Sequence, residues 1–169
     1  MQAFFDLCKR DEIQQAHDFS NQFQVSLSKL PDVAGTSGDY VVMDGNAPKY
    51  PTGTVIEFKF DKMSKKSGNI FLEFQQTTTN WFQCKSSGVK LAMECDQVVV
   101  VSIPTRFGNG MEHFLIHNMD EYDRVVQESH RTITTRPQIN GSPRGCYTRG
   151  HLVKISALEQ ILESFCSRV

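Results

Sequence analysis

The spacing of apolar residues predicts helices near both ends of the chain. Apolar side chains recur at steps of three and four over residues 11–23, which predicts a helix there that can begin earlier. The same spacing over residues 156–165 predicts a final helix, which Ser156 and Glu159 can cap. Shorter helices are predicted over residues 88–94 and 120–130.

Alternation of apolar and polar residues predicts strands over residues 54–61 and 69–77. Because only a short polar loop separates them, we expect these two strands to pair as an antiparallel hairpin. The segment 97–103 is continuously apolar, which is typical of a central strand that is buried on both faces. Further strands are predicted over residues 39–43, 112–117 and 151–155.

Together these elements predict a single α/β domain spanning residues 1–169. We expect a mixed central β-sheet that contains the antiparallel hairpin and is flanked by helices. The core should occupy residues 11–118, and residues 129–169 should form a basic arm and the C-terminal helix. The length of 169 residues agrees with one domain.

The composition of the chain indicates where the protein is expected to be located and which cysteine chemistry to expect. No apolar run approaches the ~20 residues that cross a bilayer, and the first residues lack a secretory signal. We therefore expect a cytoplasmic protein without a membrane partner. Its five cysteines are scattered and form no Cys-x-x-Cys pair, which indicates neither a disulfide framework nor a zinc site. His113 and His117 are expected to be partly exposed strand residues.

Candidate chemistry lies on the polar faces of the two alternating strands. Alternation places Glu57 and Lys59 on one face of the first strand, and Glu73 and Gln75 on one face of the second. The expected hairpin would make these four residues neighbours. Asp39 begins the preceding strand, and two carboxylates suit Mg²⁺, which polarises a phosphodiester and activates water. A nearby lysine can position that water or stabilise charge on the phosphate.

An Asp followed by Glu57-Phe58-Lys59 on an apolar strand resembles the active-site motif of the PD-(D/E)xK nuclease superfamily. The resemblance extends through the run Ser67-Gly-Asn-Ile-Phe-Leu-Glu73 and the later Ser87-Gly88-Val89, and it covers residues 38–103. Small phage and bacterial members are similar in this order of elements. The resemblance implies a restriction-endonuclease-like αβββαβ core.

Carried onto this chain, the resemblance makes Asp39 and Glu57 metal ligands and Lys59 the catalytic lysine. Glu73 and Gln75 would line the same site. The chain departs from the motif at Gly38, which stands where the motif's name has proline. An early-helix glutamate often joins the site in this superfamily, and Glu12 is the candidate here.

Asp44 is an alternative to Asp39 as the first metal ligand. Its context, Asp44-Gly45-Asn46, is typical of a turn, and we therefore rank it second.

Charge is unevenly distributed along the chain. The formal net charge is −1, which excludes a uniformly basic nucleic-acid coat protein. Residues 129–154, however, contain five basic residues and no acid, and we expect this loop-rich segment to follow a phosphate backbone. Its basic residues are Arg131, Arg136, Arg144, Arg149 and Lys154. Lys62, Lys65 and Lys66 in the hairpin loop are further candidates for phosphate contacts.

The sequence therefore predicts a Mg²⁺-dependent endonuclease that cleaves phosphodiester bonds in DNA, with Mn²⁺ as a substitute metal. The expected setting is the cytoplasm of a bacterial or phage-infected cell, and a symmetric dimer would be the simplest way to cut both strands. Two alternatives stay open: a non-catalytic nucleic-acid-binding module on the same fold, and a phage accessory protein that binds another protein. Metal-independent binding would indicate the former.

Overall fold

The computed structural model describes residues 2–33, 37–45, 48–77, 84–106, 108–135, 138–139, 142–143 and 147–167. The helices in these ranges are α1 (Gln2–Phe23), α2 (Ser64–Ser67), α3 (Gly88–Glu94), α4 (Met119–Gln127) and α5 (Ile155–Ile161). The strands of the first half are β1 (Val25–Lys29), β2 (Tyr40–Gly45), β3 (Val55–Phe60), β4 (Asn69–Thr77) and β5 (Cys84–Ser86). Those of the second half are β6 (Val98–Pro104), β7 (Met111–Ile116), β8 (Arg131–Thr135), β9 (Gln138–Ile139), β10 (Ser142–Pro143), β11 (Tyr147–Lys154) and β12 (Glu163–Cys166).

The strands form a single mixed α/β domain with two main sheets. The central sheet has six strands in the order β1-β2-β3-β6-β7-β12. Only the β3–β6 pair in this sheet is parallel, and its other pairs are antiparallel. A second, antiparallel sheet has four strands in the order β5-β4-β11-β8, and β9 pairs with β10. No helix in the described ranges is both long enough and apolar enough to cross a membrane.

Strand β6 organises the hydrophobic core, as its continuous apolar sequence predicts. Val98 and Val100 face the cluster that contains Phe19 of α1, whereas Val99 and Val101 face a second cluster. The second cluster also takes buried residues from β4, β11, α3, α4 and α5. Each face of β6 is thus covered by a separate apolar layer, and its position in the middle of the sheet is confirmed.

The predicted hairpin between residues 54–61 and 69–77 is wrong, although both strands form. β3 pairs with β2 on one edge and with β6 on the other. The pairing with β2 covers Val55 and Ile56, the pairing with β6 covers residues 56–60, and no described residue of β3 pairs with β4. Between them, the Asp61 carboxylate accepts hydrogen bonds from the amides of Ser64 and Phe71 and turns the chain out of the central sheet. β4 instead pairs with β11 and β5.

The C-terminal third also differs from its prediction. The basic segment expected to be loop-rich contains β8 and the whole of β11, which pair in the second sheet. The last helix ends at Ile161, and Phe165 lies on β12, which extends the central sheet beside β7. The N-cap of α5 is Lys154 and makes no side-chain capping bond, so the capping box expected at Ser156 does not form.

Candidate active site

Asp39 lies where the chain enters β2. Its amide donates a 2.8 Å hydrogen bond to the carbonyl of Ile56, which joins it to β3 at the start of the sheet pairing. Its carboxylate oxygen Oδ2 accepts a 2.7 Å hydrogen bond from the amide of Phe58. Asp39 is therefore held against β3 by both its backbone and its side chain, beside the Glu57-Phe58-Lys59 segment.

Glu57 is buried, with 6% of its surface exposed, and it lies on the face of β3 opposite Ile56 and Phe58. Its Oε1 atom lies 2.5 Å from the ammonium nitrogen of Lys59. Its Oε2 atom accepts hydrogen bonds from the amide of Gly38 at 2.6 Å and from the hydroxyl of Ser37 at 3.2 Å. The predicted placement of Glu57 and Lys59 on one face is confirmed, and the loop before Asp39 supplies donors to Glu57.

Gly38 explains why this chain has no proline before Asp39. Its φ is +111°, a conformation that favours glycine, and a Cβ atom there would lie 2.6 Å from Cγ1 of Val55. Its amide also donates the hydrogen bond to Glu57. Proline has neither this φ nor an N–H group, so it could not replace Gly38 here.

Helix α1 contributes a further carboxylate to this region. It does so through an ion pair with a lysine that the sequence patterns did not predict. The ammonium nitrogen of Lys29 lies 2.7 Å from Oε1 of Glu12 and 3.7 Å from Oδ1 of Asp39. The early-helix glutamate proposed from the resemblance is thus close to Asp39 and connected to it through Lys29. Lys29 ends a short strand with no distinctive pattern, so the sequence carries no signal for this contact.

The carboxylates perturb one another. Burial raises the pKa of Asp39 to about 6, and the negative charges of Glu57 and Glu12 add to this rise. Burial by itself would lower the pKa of Lys59, but the carboxylates of Glu57, Asp39 and Glu73 outweigh it and raise that pKa overall. Lys59 therefore stays protonated at neutral pH and acts as a fixed positive charge.

Glu73 reaches this region from the second sheet, without the expected hairpin. Its carboxylate contributes to the raised pKa of Lys59. Gly88 packs directly against Glu73: a Cβ atom on Gly88 would lie only 2.6 Å from Cβ of Glu73. Gly88 also has a φ of +54°. The hydroxyl of the adjacent Ser87 is buried without a hydrogen-bond partner among the described residues. The Ser87-Gly88 element of the resemblance is thus packed against Glu73.

Gln75 is placed differently from Glu73. In the pairing of β4 with β11, Arg149 is opposite Gln75 and the next residue, Gly150, is opposite Glu73. Phe74 is therefore an extra residue on β4 at which the register shifts. Gln75 accepts a 3.2 Å hydrogen bond from Nη1 of Arg149. The side chain of Gln75 therefore forms its hydrogen bond within the second sheet.

The residues predicted to contact phosphate differ in their exposure and in their ion pairs. Lys62 forms an ion pair with Asp11 at 2.8 Å, whereas Lys65 and Lys66 are exposed on α2. Arg131 and Lys154 are exposed at strand ends, and Arg149 is half-buried beside Gln75. Arg136 and Arg144 lie outside the described residues.

Asp44, the alternative first ligand, is exposed near the end of β2 and pairs in register with Ser26 on β1. The pairing of β2 with β3 covers Tyr40 and Val41, so Asp44 lies beyond it. Asp39, in contrast, is bonded directly to β3. The geometry favours Asp39.

His113 is not a partly exposed residue as expected, because its side chain is fully buried. Its Nδ1 atom lies 2.6 Å from the hydroxyl of Ser102, and its Nε2 atom lies 2.8 Å from Oδ2 of Asp18. Gln15 donates hydrogen bonds to Ser102 Oγ at 2.7 Å and to the carbonyl of Lys59 at 2.9 Å. This network joins α1, β6 and β7 to the backbone of the candidate catalytic strand.

Asp39 and Glu57 carry carboxylates, the type of ligand that a hard divalent cation such as Mg²⁺ prefers. In the described part of the chain, no three His, Cys, Asp or Glu side chains are grouped so as to hold a metal ion. Mg²⁺, however, is commonly held by one or two carboxylates together with substrate phosphates and water. The raised pKa of Asp39, caused first by burial and then by Glu57, means that its surroundings disfavour the ionised carboxylate. A cation bound there would stabilise it.

Comparison with protein-family models, curated proteins and solved structures gave no match.

Proposed function

We propose that this chain is a Mg²⁺-dependent endonuclease that hydrolyses phosphodiester bonds in DNA. The observation that carries the proposal is the arrangement around Glu57. A buried carboxylate contacts the Lys59 ammonium at 2.5 Å and the Gly38 amide at 2.6 Å, and Asp39 is bonded to the same strand. A divalent cation that activates a water molecule and a positive side chain that stabilises charge on the phosphate can together hydrolyse a phosphodiester.

The order of elements supports a restriction-endonuclease-like core. The run α1, β1, β2, β3, α3, β6 follows the order αβββαβ, with β4, β5 and α2 inserted before α3. Within it, β3 pairs antiparallel with β2 and parallel with β6. The candidate catalytic strand thus pairs with β2 at its start and with β6 over Glu57 and Lys59.

In the proposed mechanism the carboxylates bind the metal ion and the lysine stabilises charge on the phosphate. Held by Asp39 and Glu57, Mg²⁺ would polarise the phosphodiester and activate water. Lys59 is protonated and therefore stabilises negative charge on the phosphate instead of abstracting a proton. Glu57 orients the Lys59 ammonium through its Oε1 atom, and Ser37 and Gly38 hold the other carboxylate oxygen. Glu73 adds negative charge close to Lys59 from the second sheet.

A cleavage assay tests the proposal. Supercoiled plasmid, linear duplex, branched and single-stranded DNA, and RNA are incubated with Mg²⁺ or Mn²⁺, and with EDTA. We expect metal-dependent cleavage of at least one DNA form, which Glu57→Gln abolishes. This change keeps the acceptor oxygen for Gly38 and removes the charge. Glu128→Gln, at an exposed residue after α4, is the matched control. Wild-type protein that cleaves none of these substrates, or Glu57→Gln protein that cleaves like wild type, would refute the proposal.

For a duplex substrate we propose that two copies of the chain act together, each supplying one Asp39–Glu57–Lys59 centre. Cutting both strands with one centre per chain is simplest in a symmetric dimer. Light scattering on the complex of Glu57→Gln protein with duplex DNA measures the stoichiometry. A complex that contains one protein copy would contradict the dimer.

A further inference from the structure

Three side chains of the second sheet form a stack beside the candidate active site. The rings of Phe74 and His151 are stacked, with centroids 4.4 Å apart and an interplanar angle of 23°. The guanidinium carbon of Arg149 lies 5.6 Å from the centroid of Phe74. Arg149 and His151 are two positions apart on β11 and therefore lie on the same face of that strand. Phe74 thus acts as an apolar platform for two groups that bind anions.

Arg149 is held in place without being neutralised. The side-chain oxygen Oε1 of Gln75 accepts a 3.2 Å hydrogen bond from Nη1 of Arg149, and this partner carries no charge. No carboxylate in the described ranges lies within ion-pair distance of Arg149. A guanidinium group has five N–H donors, so several remain for an acceptor from outside the protein.

Besides Arg149, a second positive group, Lys90 of helix α3, acts electrostatically on this cluster. Burial lowers the pKa of His151, and the positive charges of Arg149 on its own strand and of Lys90 on α3 lower it further. The ammonium nitrogen of Lys90 lies 3.7 Å from Oε1 of Glu94, which is a long ion pair. On the other two elements beside His151, β4 contributes Phe74, and β8 contributes Thr132, which pairs with it in register. The surroundings of His151 are therefore positive.

We propose that Arg149, His151 and Lys90 form a phosphate-binding site that holds the backbone of a nucleic-acid strand next to the candidate active site. The identity of the strand as nucleic acid rests on the proposed function. Gln75, which holds Arg149, is two residues from Glu73 on β4, a separation of about 7 Å along a strand. Glu73 in turn acts on Lys59. The site thus lies on the strand that carries Glu73, and Phe74 contacts both the guanidinium and the imidazole group.

Binding in EDTA tests this site separately from catalysis. A fluorescein-labelled single-stranded oligonucleotide is titrated with Glu57→Gln protein, and anisotropy is read over a range of salt concentrations. We expect Arg149→Gln to weaken binding about tenfold and to reduce the slope of log K against log salt by about one. Arg124→Gln, at an exposed residue of α4, should change affinity less than about twofold. Equal affinities of the Arg149→Gln and Arg124→Gln proteins would overturn the proposal.

Two further measurements secure the interpretation. Lys90 lies at a half-exposed position, so Lys90→Gln should fold and weaken binding even if Arg149→Gln does not fold. The pKa of His151 is lowered from the ordinary value of 6.5 and phosphate favours the protonated imidazole, so affinity should rise as the pH falls below 6.5, and His151→Gln should remove this rise. An unchanged pH profile in His151→Gln, or unchanged binding by Lys90→Gln, would count against the site.

Competition identifies the source of the phosphate. Displacement of the oligonucleotide by unlabelled oligonucleotide alone would support a site that reads a nucleic-acid strand, whereas equal displacement by inorganic phosphate would overturn this part of the proposal. Loss of the site would leave Glu57-dependent cleavage detectable, and loss of cleavage would leave binding in EDTA measurable. The two proposals therefore fail independently.

Discussion

The amide of Gly38 donates a 2.6 Å hydrogen bond to Oε2 of Glu57, and this contact joins the loop before β2 to the middle of β3. Glu57 is thereby oriented from both sides, since Lys59 contacts its other oxygen. Hydrogen bonds to a buried carboxylate are short and strong because one partner carries a charge. The left-handed backbone of Gly38 is the condition for this contact.

Replacing Gly38 should therefore be costly. We expect Gly38→Ala to destabilise the fold by about 2–4 kcal/mol, because backbone strain adds to a clash with Val55. Gly53→Ala is the matched control, since Gly53 has a φ of +93° and no atom within 4 Å of the added carbon. It should cost only the strain, about 1–2 kcal/mol. Urea unfolding measures both, and equal losses would show that the contact with Val55 is unimportant.

Asp39 should make the stability of the metal-free protein depend on pH. Its folded pKa is raised to about 6 from 3.8, so the folded state binds more protons than the unfolded state between these values. The associated stability is present below pH 3.8 and is lost as the pH rises through about 6. We expect the difference in unfolding free energy between wild type and Asp39→Asn to change across this window in EDTA. A constant difference would contradict the raised pKa.

The same carboxyl should make metal binding sensitive to acid. A cation competes with the proton on Asp39, so Mn²⁺ should raise the melting temperature at pH 7.5 and much less below pH about 6. Asp39→Asn and Glu57→Gln should each remove the shift, whereas Asp123→Asn on α4 should keep it. An undiminished shift in Asp39→Asn would place the metal elsewhere.

Lys59 should contribute to the reaction rate more than to substrate binding. Lys59→Met keeps the aliphatic side chain and removes the charge, and we expect kcat to fall by about 10²-fold or more with a smaller change in KM. Lys85→Met, at an exposed residue of β5, is the control. Single-turnover cleavage measures the chemical step. A loss confined to KM would assign Lys59 to substrate binding instead.

The buried Asp18–His113 contact should be important for folding. Asp18→Ala leaves the imidazole and the hydroxyl of Ser167 without their shared acceptor, so we expect a loss of about 2–3 kcal/mol. Asp123→Ala, on the exposed side of α4, should stay within about 0.5 kcal/mol of wild type. Chemical denaturation with a linear extrapolation measures both variants. A small loss in Asp18→Ala would mean that water replaces the carboxylate.

Local pattern was sufficient to predict several elements of the site. Residues 69–77 match β4, and the continuous apolar run predicts the central position of β6. Because side chains alternate along any strand, Glu57 and Lys59 had to share one face, opposite Ile56 and Phe58. These features depend only on residues that are close in sequence.

Which strands pair, and which distant polar groups meet, depends on the tertiary structure. Alternation in β4 is compatible with any partner, and in the structure β4 pairs with β11, far along the chain, whereas β3 pairs with β2 and β6. The contact of Lys29 with Asp39 and the burial of His113 beside Asp18 likewise join residues without a common local pattern. Each strand has only two edges and each buried polar group needs a partner, so such choices are made by the whole chain as it packs.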